Sequence, residues 1–408
     1  MTVTTTRGAE HSADVLVVGG GLVGAAIAYG LAREGAAVSV IDQGDDVFRA
    51  SRGNFGLVWI QAKGYGLAPY ARWSHGSAQL WPRLAQLLQE DSAVDVQLRQ
   101  PGGFHMCFSD AELEERQARL ATVASEFGGP YPFEMLDAAE LKRRLPQIGP
   151  RVAGASYTPM DGHVNPLKLL RALHTGARKH GAVFYNGEQV AALDAAPGAF
   201  TVHGATRRWH APKLVLAAGL GNRALAPALG LHAPVRPNRG QVLVSERVQP
   251  FLDYPTINVR QTDEGSVQFG DSMEDAGFND FTSNAVLAAI AQRGVDTFPF
   301  LKHVGLVRAW GALRVLSPDG FPIYQQSPRF AGGFVATCHS GVTLAAAHAL
   351  RLAPWIAGAA APPELHVFAG ERFLPDAAAA PDSAPVIPTA SLAPIAHATD
   401  ATHADHTR

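Results

Sequence analysis

The chain has 408 residues, 47% of them hydrophobic and 17% charged, with a formal net charge of −2. That length exceeds what one core usually serves, so two domains are expected. The near-neutral balance and the lack of basic runs argue against nucleic acid as a partner. The first residues, MTVTTTRGAEHSA, are polar and lack the apolar centre of a signal peptide. No apolar stretch is long enough for a membrane span. The two cysteines, Cys107 and Cys338, form no metal or iron–sulfur spacing. This is the profile of a soluble, cytoplasmic protein, with peripheral contact at the inner face of a membrane left open.

In chain order, residues 13–18 (ADVLVV) form a short apolar strand, residues 22–35 have helical periodicity ending at Gly35, and residues 36–42 (AAVSVID) are a second strand. Together they make a β–α–β unit. Residues 67–95 and 110–145 read as mostly helical, with a strand-like LRQPGGFHMCFS between them. Residues 161–181 carry a proline near a helix start and a glycine at its end, with Asn165 and Pro166 as the start feature. Residues 182–193, 199–204 and 207–219 read as strands, 236–275 as short strand-like pieces, and 282–297 as a helix. Residues 332–358 read as strand, glycine turn and helix. Beyond about residue 374 the chain is rich in Ala, Pro, Thr, His and Asp and reads as a disordered tail.

The first chemical signal is VVGGGLVG, where Gly19, Gly21 and Gly24 have the G-x-G-x-x-G spacing between a strand and a helix. Gly19 permits the tight turn, Gly21 lets a pyrophosphate approach the backbone, and Gly24 lets helix and strand pack closely. The helix N-terminus favours the phosphate charge. Asp42, at the end of the next strand, can accept hydrogen bonds from ribose hydroxyls. A dinucleotide site is expected. Two features favour a flavin over a nicotinamide. The strand KLVLAAGLGN runs into Ala217, Ala218 and Gly219, small enough to pass close to a cofactor. A second helix start near His339–Thr343 would stabilise the N1–C2=O edge of a reduced flavin.

The segments DVLVVGGGLVGAAIAYGLAREGAAVSVID, KLVLAAGLGN, WGALRVLSPDGFPIYQ and CHSGVTLAAAHA occur in the order seen in the glycine oxidase/D-amino-acid oxidase family of flavoproteins, which the chain resembles over about residues 13–374. Within it, ASRGNFGLVWIQAKG and CHSGVTLAAAHA look most like the branch of D-hydroxyproline dehydrogenases, opine oxidase subunits and hydrogen cyanide synthase subunits. The resemblance implies non-covalent FAD, because residues 315–319 lack the cysteine that joins flavin in some members. It implies a cofactor set of Gly19, Gly21, Leu22, Val23, Gly24, Asp42, Gln43, Ser51, Arg52, Gly53, Asn54, Gly56, Leu57, Val190, Ala218, Gly219, Gly311, Arg314, His339, Ser340, Gly341, Val342 and Thr343. The glycine-rich segment at 50–66 would pass along the flavin. Trp59 and Tyr65 are pocket walls or packing groups, and Lys63 either promotes oxygen reduction or faces solvent.

On the substrate side, the resemblance makes Arg314 the bidentate partner of a substrate carboxylate. Arg260 is a candidate second anchor. Tyr254, His303 and Glu274 are further candidates, and Gln241 resembles a strand position entering the substrate domain. The implied reaction is oxidation of the C–N bond of a small amino or imino acid, of the D-proline or cis-4-hydroxy-D-proline type, by hydride transfer to flavin, with orientation as the main catalytic contribution. Glycine, sarcosine or opine oxidation in a hetero-oligomer is the alternative within the family. Outside it stand an NAD(P)-dependent dehydrogenase and a non-catalytic flavin-binding subunit. Electrons would leave to oxygen, a quinone or a partner protein. The expected fold is α/β: a discontinuous Rossmann-like FAD-binding domain (1–85, 146–235 and 308–374) and an α+β substrate domain with an antiparallel sheet (86–145 and 236–307).

Overall fold

The computed structural model describes residues 9–44 and 49–374. Its centre is a six-stranded sheet. In order across the sheet the strands are Ile323–Gln326, Gly333–Thr337, Lys213–Leu216, Val15–Val18, Val38–Asp42 and Val183–Asn186. All neighbours are parallel except the first pair. Both faces are covered, which is why VLVV is apolar without alternation. Val15 and Val17 join one core with the helices Leu22–Arg33 and Pro166–Lys179, while Leu16 and Val18 join another. That second core lies under a four-stranded sheet built from Ala9–Ser12, Arg207–Ala211, Ala199–His203 and Ala192–Ala196. The polar N-terminal residues thus supply a strand, running parallel to Arg207–Ala211.

A third core gathers Phe104, Leu136, Leu243, Phe269 and Ile290. It lies against an antiparallel sheet in the order Val259–Gln261, Ser266–Phe269, Arg236–Arg247 and Leu306–Leu316. A three-stranded sheet completes it: Gly103–Cys107, Gly154–Thr158, Glu134–Asp137. The strand Gly154–Thr158 joins strands on the other side of the expected boundary at 146, and Leu306–Leu316 spans the one at 307/308.

Three local features differ from expectation. Residues 110–145 are mostly helical as expected, but the short strand Glu134–Asp137 stands between the helices Asp110–Phe127 and Ala138–Arg144. Asp137 ends that strand and caps that helix, accepting from the Glu140 amide at 2.8 Å while Glu140 reaches back. Residues 236–247 form one continuous strand instead of short pieces. The helix expected to start at His339–Thr343 begins at Ala345; His339–Thr343 is a turn leading into it. No helix among the described residues is long and apolar enough to cross a membrane. The expected disordered tail lies outside the described residues.

Candidate functional site

The glycine fingerprint is built by close packing. Gly19 has φ +105°, and a Cβ there would sit 2.4 Å from the Ala217 carbonyl oxygen. A Cβ on Gly24 would lie 1.9 Å from the carbonyl oxygen of Gly19. The strand Lys213–Leu216 runs into Ala217, which is therefore laid directly against the turn, and two motifs far apart in the chain form one wall. Asp42 braces that wall: its Oδ2 accepts from Gly20 N at 2.7 Å and its Oδ1 from Gly44 N at 2.8 Å. Ser51 Oγ accepts from Leu22 N at 2.9 Å, tying the 50–66 segment to the start of the first helix. Gly21 itself supplies that helix no side-chain cap, so beyond the Leu22 amide held by Ser51 its positive end favours an anion.

A cavity of about 940 Å³ opens at this wall. From the expected cofactor set it is lined by Gly19, Gly21, Leu22, Val23, Asp42, Gln43, Ser51, Arg52, Asn54, Val190, Ala218, Gly219, His339 and Gly341. The volume is at the large end of small-molecule and cofactor sites. Its lining includes the start of the first helix, the acidic strand end at Asp42 and the second glycine turn at Gly341, the three parts a dinucleotide site needs. Gly24 packs behind the wall. Gly53, Gly56, Leu57, Gly311, Arg314, Ser340, Val342 and Thr343 are not part of the lining. Two of them tie segments together behind it: Thr343 Oγ1 accepts from Trp59 N at 3.1 Å, and Gly53 O accepts from the Trp310 indole at 3.1 Å. The sequence reading missed His174, Glu188 and Phe278 as lining residues. His174 Nε2 lies 2.7 Å from Gly20 O. Glu188 is two residues from Val190, so the EQV stretch carried a local signal; the other two are brought in only by tertiary folding.

Lys63 is half-buried and does not face open solvent. Its Nζ donates to Ser340 Oγ at 2.6 Å, and the Tyr70 hydroxyl reaches the same oxygen at 3.2 Å. Burial, with Arg314 and Lys63 nearby, pulls the His339 imidazole down to about 3. Leu313 and Val315 line the cavity, whereas Arg314, on the alternate face of the same strand, is not part of the lining.

The remaining substrate-side candidates go elsewhere. Arg260 is buried, and burial pulls its guanidinium down to about 10. It donates to Phe55 O and lies 3.1 Å from His163 Nδ1. It is a brace for the 50–66 segment and does not point into the cavity. Arg260→Ala should leave those acceptors unpaired and lower stability by about 2–4 kcal/mol; an unchanged urea midpoint would contradict that. Tyr254 packs edge-on against Phe104 at 5.3 Å and lines a separate cleft of about 250 Å³. Glu274 pairs with Arg239 at 2.6 Å and accepts from Gln241 Nε2 at 2.8 Å. His303 closes the short helical turn Pro299–His303 and is not part of the cavity lining.

The buried imidazoles carry a pH consequence. Burial holds His163, His339 and His348 at about 3, against 6.5 ordinarily. The unfolded chain takes up protons as pH falls below 6.5, while the folded chain does not until about 3. Their contribution to stability is complete above that range and is lost on acidification. Asp161, pushed up to about 7 by burial, acts oppositely between 3.8 and 7, but it is outnumbered, because burial also pulls the His75 and His105 imidazoles down. The melting temperature should fall steadily from about pH 7 to about pH 4; a constant or rising value would contradict this.

Comparison with known proteins agrees with the geometry. The family model described as FAD dependent oxidoreductase (DAO) matches residues 14–355. An opine oxidase subunit of Rhizobium meliloti is 42% identical over 364 residues, covering 89% of this chain and 98% of the relative. Glycine oxidase of Bacillus licheniformis is 25% identical, covering 85% and 93%. The crystal structure of glycine oxidase from Geobacillus kaustophilus superposes with a TM-score of 0.82 at 24% identity, covering 88% of this chain and 98% of that one.

Proposed function

Because the chain belongs to the DAO family of FAD-dependent oxidoreductases, we propose that it oxidises the C–N bond of an N-substituted amino acid of the opine type, as one component of a hetero-oligomer. FAD supplies the two-electron acceptor. The chain's own residues bind and orient. The wall at Gly19, Gly21 and Asp42 would hold the dinucleotide, the turn at His339–Gly341 would line the same site, and Arg314 would take the substrate carboxylate. Orientation by a bidentate arginine would aim one C–H of the substrate at the cofactor. Loss of a hydride from that carbon and a proton from nitrogen leaves an imine, which water opens to an oxo acid and an amine. A neutral amine needs no protein base, and His339, held neutral, adds no positive charge of its own.

The observation that carries this reading is the match across nearly the whole length of an opine oxidase subunit, with the cofactor wall in place. Relatives named as subunits, of opine oxidase and of hydrogen cyanide synthase (HcnC), support a partner chain that accepts the electrons. The test is product identification. The FAD-loaded protein with an artificial electron acceptor is given an opine, glycine, sarcosine, D-proline and cis-4-hydroxy-D-proline. One oxo acid and one amine per opine consumed is expected. Turnover of D-proline or cis-4-hydroxy-D-proline alone would move the substrate to the imino acids; turnover of none, with FAD bound, would favour a non-catalytic role.

A further inference from the structure

The guanidinium of Arg314 already holds a carboxylate. Its Nη2 pairs with Asp271, and its Nη1 donates to Ser272 O at 2.6 Å and Asn238 Oδ1 at 3.2 Å. Asp271 opens a loop that ends at Ser283, and the loop is fastened to the strand Arg236–Arg247. Gln241 N donates to Ser272 Oγ at 3.0 Å, and Gln241 Oε1 accepts from Ser283 N at 2.9 Å. Arg239 donates to Asn279 Oδ1 at 3.2 Å and Phe281 O at 2.8 Å. Between these fastenings, Phe278 and Asp280 line the main cavity. One loop thus supplies part of the cavity wall and the acid on the expected carboxylate anchor. The two partners differ in exposure: the Asp271 side chain is 38% exposed and that of Arg314 is 17% exposed. The acid can swing into water while the arginine, held by backbone and amide acceptors, stays.

We propose that Asp271 is an internal competitor for the substrate carboxylate and a specificity-determining residue of this site. The inference rests on Arg314 being the carboxylate anchor. Asp271 neutralises Arg314 from one side. A ligand carboxylate offers two oxygens to the guanidinium fork and can replace it. The cost of displacing Asp271 is the same for every ligand, so only a ligand that binds the freed guanidinium more strongly than the acid does, as a carboxylate can and an amide or alcohol cannot, occupies the site.

The experiment uses the full FAD-loaded chain and follows the change in flavin absorbance on titration with benzoate, which cannot be oxidised. Asp271→Asn should tighten benzoate by about fivefold, the scale of a half-exposed ion pair. Asp271→Glu, which restores the competitor, should bind benzoate like the unmodified protein. Arg314→Met should lose benzoate. Unchanged or weaker benzoate binding in Asp271→Asn, with Arg314→Met still losing it, overturns the proposal alone. Benzoate binding that survives Arg314→Met overturns the anchor reading beneath it. Should Asp271→Asn fail to retain flavin, Asp271→Ser is judged by the same two criteria.

Discussion

Gly24→Ala is expected to yield a protein that does not retain FAD. The added Cβ would lie 1.9 Å from the Gly19 carbonyl oxygen and 3.2 Å from the Ala217 side chain. The first obstacle is backbone, so no rotamer change relieves it. Either the helix Leu22–Arg33 moves away from the sheet or the turn at Gly19 opens, and both displace the surface that meets the pyrophosphate. Overpacking of this kind costs about 1–3 kcal/mol, with a backbone clash toward the upper end. The cost falls on the bound form most, because binding needs the closed wall. Flavin content after gel filtration, read from the ratio of visible to ultraviolet absorbance, checks it. A Gly24→Ala protein with full flavin content would show that the wall is not the cofactor cradle.

Arg314→Met carries the second large effect. Methionine keeps most of the stem's volume and removes the charge. Loss of one member of a buried, hydrogen-bonded charge pair costs about 2–5 kcal/mol, so apparent affinity for the substrate should fall at least about thirtyfold. Asp271 loses its partner as well, but it is the more exposed member and can be solvated, so folding should suffer less than binding. Steady-state kinetics would show KM raised and, because orientation is the expected catalytic contribution, kcat lowered too. A variant with unchanged KM would mean that the substrate carboxylate is held elsewhere.

What the sequence disclosed depended on whether the constraint was local. The fingerprint at Gly19–Gly24 was legible because the turn, the close approach and the helix start are all set by neighbours in the chain. The small residues at Ala217–Gly219 were legible for the same reason, and the structure brings them to the same wall. The substrate side was less so. Arg260 and Tyr254 have the right chemistry for an anchor, but residue type does not tell which way a side chain points. Arg260 turns inward to Phe55 and His163, and Tyr254 joins an aromatic cluster with Phe104 and Tyr157. Asp271 was invisible because its partner lies 43 residues away. The unbroken strand Arg236–Arg247 was read as pieces because Pro237 and Gly240 look like breaks. The neighbouring strand Ser266–Phe269 pairs only from Leu243 onward, so the proline lies where one side of the ladder is open. The short strand Glu134–Asp137 was hidden by residues that favour helices equally well.

The decisive measurement is the visible spectrum of the purified protein, mixed anaerobically with an opine. The expected result is a flavin spectrum, supplied if necessary by added FAD, that is bleached by the opine in the absence of oxygen and of any partner chain. No flavin peak after adding FAD would contradict the assignment outright.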